Sequence, residues 1–119
     1  MTGKTSFAVV ICTHNGERFL PAQLRSIAAQ THPAAEIHVH DWGSTDGSVA
    51  LIEAWRASQA TGAATSFLQH DRAPGACESF FEALAISLER SHTSHVLFCD
   101  QDDRWHAQKL ERYAEYLEG

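Results

Sequence analysis

The segment FCDQDDRW, residues 98–105, ends an apolar run on three carboxylates within four positions. Asp100, Asp102 and Asp103 repel one another, and that crowding costs stability unless a cation, a proton or solvent relieves it. If the strand continues through Asp102, alternation puts Asp100 and Asp102 on one side and Asp103 on the other. A D-x-D pair of this kind offers hard oxygen ligands to Mg2+ or Mn2+, whose remaining positions are filled by water and phosphate oxygens. Capping of the following helix accounts for one acid, most readily Asp103, but not for three.

Two further polar segments carry chemistry. In HDWGSTDGS, Asp41 ends an apolar run, where an acid commonly holds ribose hydroxyls or a base edge. Ser44 to Gly47 read as a turn and a helix cap, with Ser44 or Thr45 as the capping residue. In CTHNGE, the Thr13-His14-Asn15-Gly16 turn can pack backbone and imidazole against a base, although Asn-Gly is also an ordinary turn dipeptide. Neither the dinucleotide fingerprint nor the P-loop pattern is present, and neither acidic segment fits an EF-hand loop. The eight histidines include His38 and His40 on one strand face. No zinc spacing accompanies them, so packing is the expected role. No nucleophile elbow or catalytic cysteine signature is present, and a receiver-type acidic pocket lacks its lysine on a late strand.

The elements that must position these segments alternate. Apolar runs at 7–12, 36–41, 65–70 and 94–100 read as strands. Each is followed by a polar turn and a stretch of helical period. Leu20, Leu24, Ile27 and Ala28 mark the first helix, with Pro21 in its first turn, and Val49, Ile52 and Trp55 mark the second. Phe80, Leu84 and Leu88 with Phe81 mark the third, and Leu110, Tyr113 and Leu117 the fourth. Four strand-helix units predict an α/β domain over 1–119: an open parallel sheet with helices on both faces and right-handed crossovers. The acidic and Asn/Gly-rich segments then fall together, beyond the carboxyl ends of the strands, where open α/β sheets bind ligands.

Composition narrows the ligand classes. A chain of 119 residues supports one hydrophobic core. A net charge of −6 and the lack of a Lys/Arg run argue against nucleic acid as partner. Cys12, Cys77 and Cys99 are few, odd in number and widely spaced, which predicts reduced thiols and a cytoplasmic setting. The first apolar run is too short for a signal segment or a membrane span, so no export or anchoring signal is expected in the chain.

In order along the chain, VVICTHNGERFLPAQLRSIAAQT, EIHVHDWGSTDGS and CDQDDRWHAQKL resemble the nucleotide-binding half of a family-2 glycosyltransferase with a GT-A fold, closest to bacterial rhamnosyltransferase-like members. The resemblance runs from about residue 7 to residue 111. Its motifs are T-x-N-G-E, a helix ending in Gln-Thr, D-x-G-S-T-D, and D-Q-D-D-x-W with a later Lys-Leu. It implies that Thr13, His14, Asn15 and Glu17 line the base side of a nucleotide pocket. Asp41 and Asp100 would also contact the donor, and Asp100 with Asp102 would hold Mg2+ or Mn2+ on its diphosphate. The chain departs from the family at Trp42, where a second aspartate is usual, and at His14, where a tyrosine is common. The third-loop segment RAPGACESF matches only loosely.

The implied reaction is inverting transfer of a sugar from a nucleoside diphosphate donor, a UDP- or dTDP-sugar, to a sugar or glycan acceptor in cell-surface polysaccharide synthesis. A base would deprotonate the acceptor hydroxyl. It is expected outside these residues, so the chain by itself is expected to be catalytically incomplete. It would be cytoplasmic, or peripheral at the inner face of the membrane, and prone to self-association through an exposed sheet edge. The alternative is a truncated or degenerate module that binds nucleotide or metal without catalysis.

Overall fold

In the computed structural model, which describes residues 5–58, 62–71, 78–99 and 104–118, strands and helices alternate four times. The strands are β1 (Phe7–Thr13), β2 (Glu36–Trp42), β3 (Ala64–His70) and β4 (His95–Cys99); the helices are α1 (Leu20–Ala28), α2 (Ser48–Ala57), α3 (Glu78–Arg90) and α4 (Lys109–Glu118). All strands are parallel, in the order β3-β2-β1-β4. The chain winds outward from β1 to β3 and then returns to the other side of β1. The winding therefore reverses beside β1, and a crevice for ligands opens there at the carboxyl edge.

Right-handed crossovers running in opposite directions place helices on opposite faces. On one face, Phe7, Val9 and Ile11 of β1 and Ile37 and Val39 of β2 meet Leu20, Leu24 and Ile27 of α1, Ile52 of α2, and Leu110 and Ala114 of α4. Fully burying each of the larger of these side chains contributes about 1.5–3 kcal/mol. Pro21 sits in the first turn of α1, where its missing N–H has no intrahelical acceptor to lose.

The opposite face is covered by α3, with Val10, Trp42 and Ala83 at its centre. The sequence pattern expects α3 to bury Phe80, Leu84 and Leu88; the Phe80 side chain lies outside what the structure describes, and other positions of the helix meet the sheet. Ser79, Ala83 and Ser87 are buried, Leu84 is half-buried, and Phe81 and Leu88 are exposed. The cause is volume: β2 turns His38, His40 and Trp42 toward α3, and such bulk leaves room only for a stripe of small residues. α4 is similarly turned, burying Leu110 and Ala114 while Tyr113 and Leu117 remain exposed.

Candidate functional site

The sheet register sets the site. Thr13 and Asp41 are paired across β1 and β2 at their carboxyl ends, so both side chains leave the same face of the sheet. Both are buried. The Thr13 hydroxyl has no hydrogen-bond partner among the described residues. The Asp41 carboxylate takes two bonds from Ser44, from its N–H at 3.1 Å and its hydroxyl at 2.5 Å. Among the described residues no cation forms an ion pair with Asp41. Ser44 is therefore not the expected helix cap; it closes a turn on Asp41, and α2 begins at Ser48, where Asp46 accepts the Ser48 N–H.

The loops after β1 and β2 interlock. The Asn15 N–H donates to Ser44 Oγ at 2.8 Å, and Asn15 Oδ1 accepts the Thr45 N–H at 2.8 Å. The Gly16 N–H donates to Ser48 Oγ, and the Glu17 N–H to Asp46. Glu17 Oε1 accepts the Gly47 N–H at 3.0 Å. Hydrogen bonds from Ser48, its hydroxyl first, hold the Asp46 carboxyl below its usual range. Asn15 has φ 51 and Gly43 has φ 62; the left-handed region is tolerated by asparagine and natural to glycine. The structure thus gives Asn15 and Glu17 a positioning role that their sequence context did not disclose.

Gly47 shows how close the loops are. A Cβ there would lie 2.9 Å from Glu17 Oε2. Gly47→Ala is expected to push the Glu17 carboxylate aside and to loosen the loop pair, lowering stability by about 1 kcal/mol, as thermal or urea unfolding would show.

His14 Nδ1 lies 2.6 Å from the Trp42 carbonyl. A carbonyl only accepts, so Nδ1 carries the proton and, in the neutral ring, Nε2 is the acceptor, 3.4 Å from Asn15 Nδ2. Trp42 is 1% exposed and stacks on His70, with ring centroids 3.7 Å apart and planes within 5°. Its indole is thus a packing element beneath the loops. Below it, His40 Nδ1 is 3.1 Å from His70 Nε2, and His40 Nε2 is 3.3 Å from Ser87 Oγ. Burial, with the nearby His70, His38 and Arg90, pulls the His40 pKa down to about 4. His38 and His40 are both buried, and the described residues contain no group of His, Cys, Asp or Glu able to hold a metal. Among the described residues Cys12 and Cys99 form no disulfide, and Cys99 Sγ accepts a bond from Gln23 Nε2 at 3.2 Å.

Asp100, Asp102 and Asp103 lie outside the described residues, as does Cys77. The segments flanking the acids are well placed. β4 runs beside β1 and ends at Cys99, paired with Ile11, at the same carboxyl edge of the sheet as Thr13 and Asp41. On the far side of the acids, the Trp105 N–H donates to Ser26 Oγ. Gln30 donates to the carbonyls of His106 and Ser26 and accepts the Leu110 N–H. The Thr31 N–H and hydroxyl bond to the Ala107 carbonyl, and that hydroxyl also meets Glu111. Gln30 and Thr31, just beyond the end of α1, are therefore the clamp for the segment that follows the acids. Gln30→Ala would strand buried backbone groups and is expected to cost about 1–2 kcal/mol, measurable by urea unfolding.

An open parallel sheet with a winding reversal beside β1 and a buried acid at its carboxyl edge defines a doubly wound type of α/β domain. The chain belongs to glycosyl transferase family 2, whose model matches residues 8–119. An uncharacterised glycosyltransferase of Nostoc is 31% identical over 111 residues, covering 93% of this chain and 32% of the relative. A dTDP-rhamnosyl transferase of Shigella flexneri is 26% identical over 107 residues, covering 90% of this chain and 36% of the relative. S. aureus TarS, solved over residues 1–349, superposes with TM-score 0.79 at 25% identity, covering 96% of this chain and 32% of that one. TarS has also been solved with UDP-GlcNAc. A mannosyltransferase of Pyrobaculum calidifontis, solved with GDP-Man and Mn2+, matches with TM-score 0.78 at 23% identity, covering 98% of this chain and 32% of that one, and bears on the fold alone. These neighbours are GT-A glycosyltransferases, so the predicted fold class holds. The chain spans about a third of the length of these relatives.

Proposed function

We propose that this chain is the donor-binding half of an inverting, metal-dependent glycosyltransferase. It would bind a nucleoside diphosphate sugar, a UDP- or dTDP-sugar, for transfer to a glycan acceptor in cell-surface polysaccharide synthesis. The observation that carries the reading is the buried Thr13–Asp41 pair at the carboxyl edge beside the winding reversal, framed by two loops locked to each other. Thr13 offers a hydroxyl without a partner among the described residues, and Asp41 a carboxylate without a cation there; both suit the donors and acceptors of a nucleoside. His14, Asn15 and Glu17 would line the base side. Dimensionally fixed loops hold this pocket before the donor arrives, which limits the ordering cost of binding.

Asp100 and Asp102, which follow β4 in the sequence, would suit a hard divalent cation by residue type, since carboxylate oxygens are its preferred ligands. Mg2+ or Mn2+ held there would supply charge stabilisation for the departing diphosphate. The base for the acceptor hydroxyl is placed outside these residues. The reading is supported by membership of family 2 and by the UDP-GlcNAc complex of TarS. Cytoplasmic residence, or a peripheral position at the inner face of a membrane, belongs to the same proposal; no helix among the described residues is long and apolar enough to cross one.

Titration calorimetry with UDP and dTDP, with and without Mn2+, tests it. Binding is expected to weaken at least about tenfold in EDTA, a loss of about 1.4 kcal/mol. Asp102→Asn should reproduce that loss, whereas Asp103→Asn should not, if strand alternation continues through Asp102 and turns Asp100 and Asp102 to the same ion. Equal affinity in EDTA would overturn the metal. Binding of neither nucleotide would favour the degenerate module.

Self-association is a further part of the proposal. β4 is an edge of the described sheet, and the exposed Tyr113, Tyr116 and Leu117 border it. Light scattering across concentration should show dimers; a monomer throughout would remove this part alone.

A further inference from the structure

The opening of α4 carries charge of the wrong sign for its own helix. The positive end of a helix dipole favours acids and disfavours cations, yet Lys109 begins α4 and Arg112 follows one turn later. Arg104 stands just before them. The acid in that first turn, Glu111, is engaged by the Thr31 hydroxyl. Three of the nine Lys and Arg residues of a chain with net charge −6 therefore crowd into nine positions. Among the described residues none of the three forms an ion pair with a carboxylate.

These cations surround a cavity of about 340 Å3 lined by Arg104, Trp105, His106, Lys109, Arg112 and Tyr113, a size that suits a small ligand. Lys109 Nζ sits 4.4 Å from the Trp105 ring centroid and 6.0 Å from that of Tyr113. Trp105 is 6% exposed, and its buried indole N–H has no acceptor among the described residues. The backbone around the cavity is held from α1 through Ser26, Gln30 and Thr31. Clustered like charges that form no ion pair among the described residues repel one another, and a bound anion lowers that cost.

We infer that this cavity is a second anion site, for a phosphate group joined to a sugar or glycerol unit, distinct from the Thr13–Asp41 site. Phosphate is favoured over a carboxylate because three oxygens and a charge near −2 can engage two guanidinium forks and an ammonium together. The aromatic faces of Trp105 and Tyr113 take the less polar part of the ligand. Such a phosphate has two sources, a free sugar phosphate or the headgroup of an anionic lipid.

The test uses the whole chain in EDTA, so that a metal-dependent donor site does not contribute. Glucose 1-phosphate is titrated while the indole N–H resonances are followed by NMR, with glucose as the control. Vesicles of phosphatidylcholine, with and without phosphatidylglycerol, are tested by co-sedimentation. A saturable shift of the Trp105 resonance with glucose 1-phosphate and not with glucose is the expected result. R104Q/R112Q should weaken that binding at least about tenfold, and R104K/R112K by much less, because the charge is kept. Sedimentation with phosphatidylglycerol vesicles that R104Q/R112Q abolishes assigns the lipid source; sugar phosphate binding without it assigns the soluble source. If neither probe binds, if glucose binds equally, or if R104Q/R112Q binds as the unaltered chain does, the site does not exist. A failure of UDP or dTDP to bind would leave this result untouched.

Discussion

Trp42→Ala is expected to destabilise the domain by about 3–5 kcal/mol, the range for removing a large buried aromatic side chain. The indole is 1% exposed, packs with Val10 and Ala83 and stacks on His70, so its removal leaves a cavity between the sheet and α3. Small domains hold about 5–15 kcal/mol in total, so the variant should show a much lower urea midpoint. Trp42→Phe should lose far less. Trp42→Asp, the residue type usual in the family at this position, should be at least as damaging as alanine, because it buries a carboxylate between α3 and β2. Donor affinity measured on the folded fraction should change little in Trp42→Phe, since the indole lies beneath the pocket. A marked loss there would give Trp42 a direct contact with the base.

Acidification from pH 6.5 to 4 is expected to cost the fold about 2–3 kcal/mol through His40 alone. Burial, with His70, His38 and Arg90 nearby, lowers its folded pKa to about 4, whereas the unfolded chain protonates near 6.5. The folded value lies below the unfolded one, so between pH 6.5 and 4 the unfolded state binds more protons. Stability is therefore complete above pH 6.5 and falls as pH drops through that window. The bound of 1.36 kcal/mol per pKa unit is discounted here for residual solvent screening. His40→Gln should flatten the pH dependence of urea unfolding between pH 4 and 6.5. A second loss is expected below about pH 4.5. There burial raises the Glu36 carboxyl, but bonds from the His92 N–H and the His38 ring outweigh it and leave the group below its usual range; Asp46 is lowered too, first by the Ser48 hydroxyl. An unchanged slope in His40→Gln would mean that the histidine is hydrated in the folded state.

The strands were legible because β-branched and aromatic runs bounded by polar turns have few other uses; the observed spans of all four differ from expectation by a residue or two at the ends. The order of the units was legible too, since strand-helix alternation leaves little besides a parallel sheet. Helix faces were less so. In α3 Phe81 and Leu88 did not mark the buried side, because what a helix buries depends on the bulk it meets, and His40 and Trp42 are contributed by a strand some forty residues away. Ser44 was read as a helix cap from its neighbours, yet it bonds Asp41 and Asn15, a choice made between two loops and invisible to either.

The chemistry of the site follows the same division. Residue types and chain order were enough to place Asp41 and Thr13 at strand ends and to suggest a nucleotide and a metal, because those properties are local. Which groups are consumed in holding the loops, and which remain for a ligand, was decided by tertiary structure. Asn15 and Glu17 are tied to the neighbouring loop, whereas the Thr13 hydroxyl has no partner among the described residues. A hydrogen bond between residues thirty positions apart depends on register, and register is a property of the packed sheet. The cationic cavity at α4 is the plainest case. Arg104, Lys109 and Arg112 look like scattered surface charges in the sequence, and only the clamp of Gln30 and Thr31 on the opening of the helix gathers them around one space.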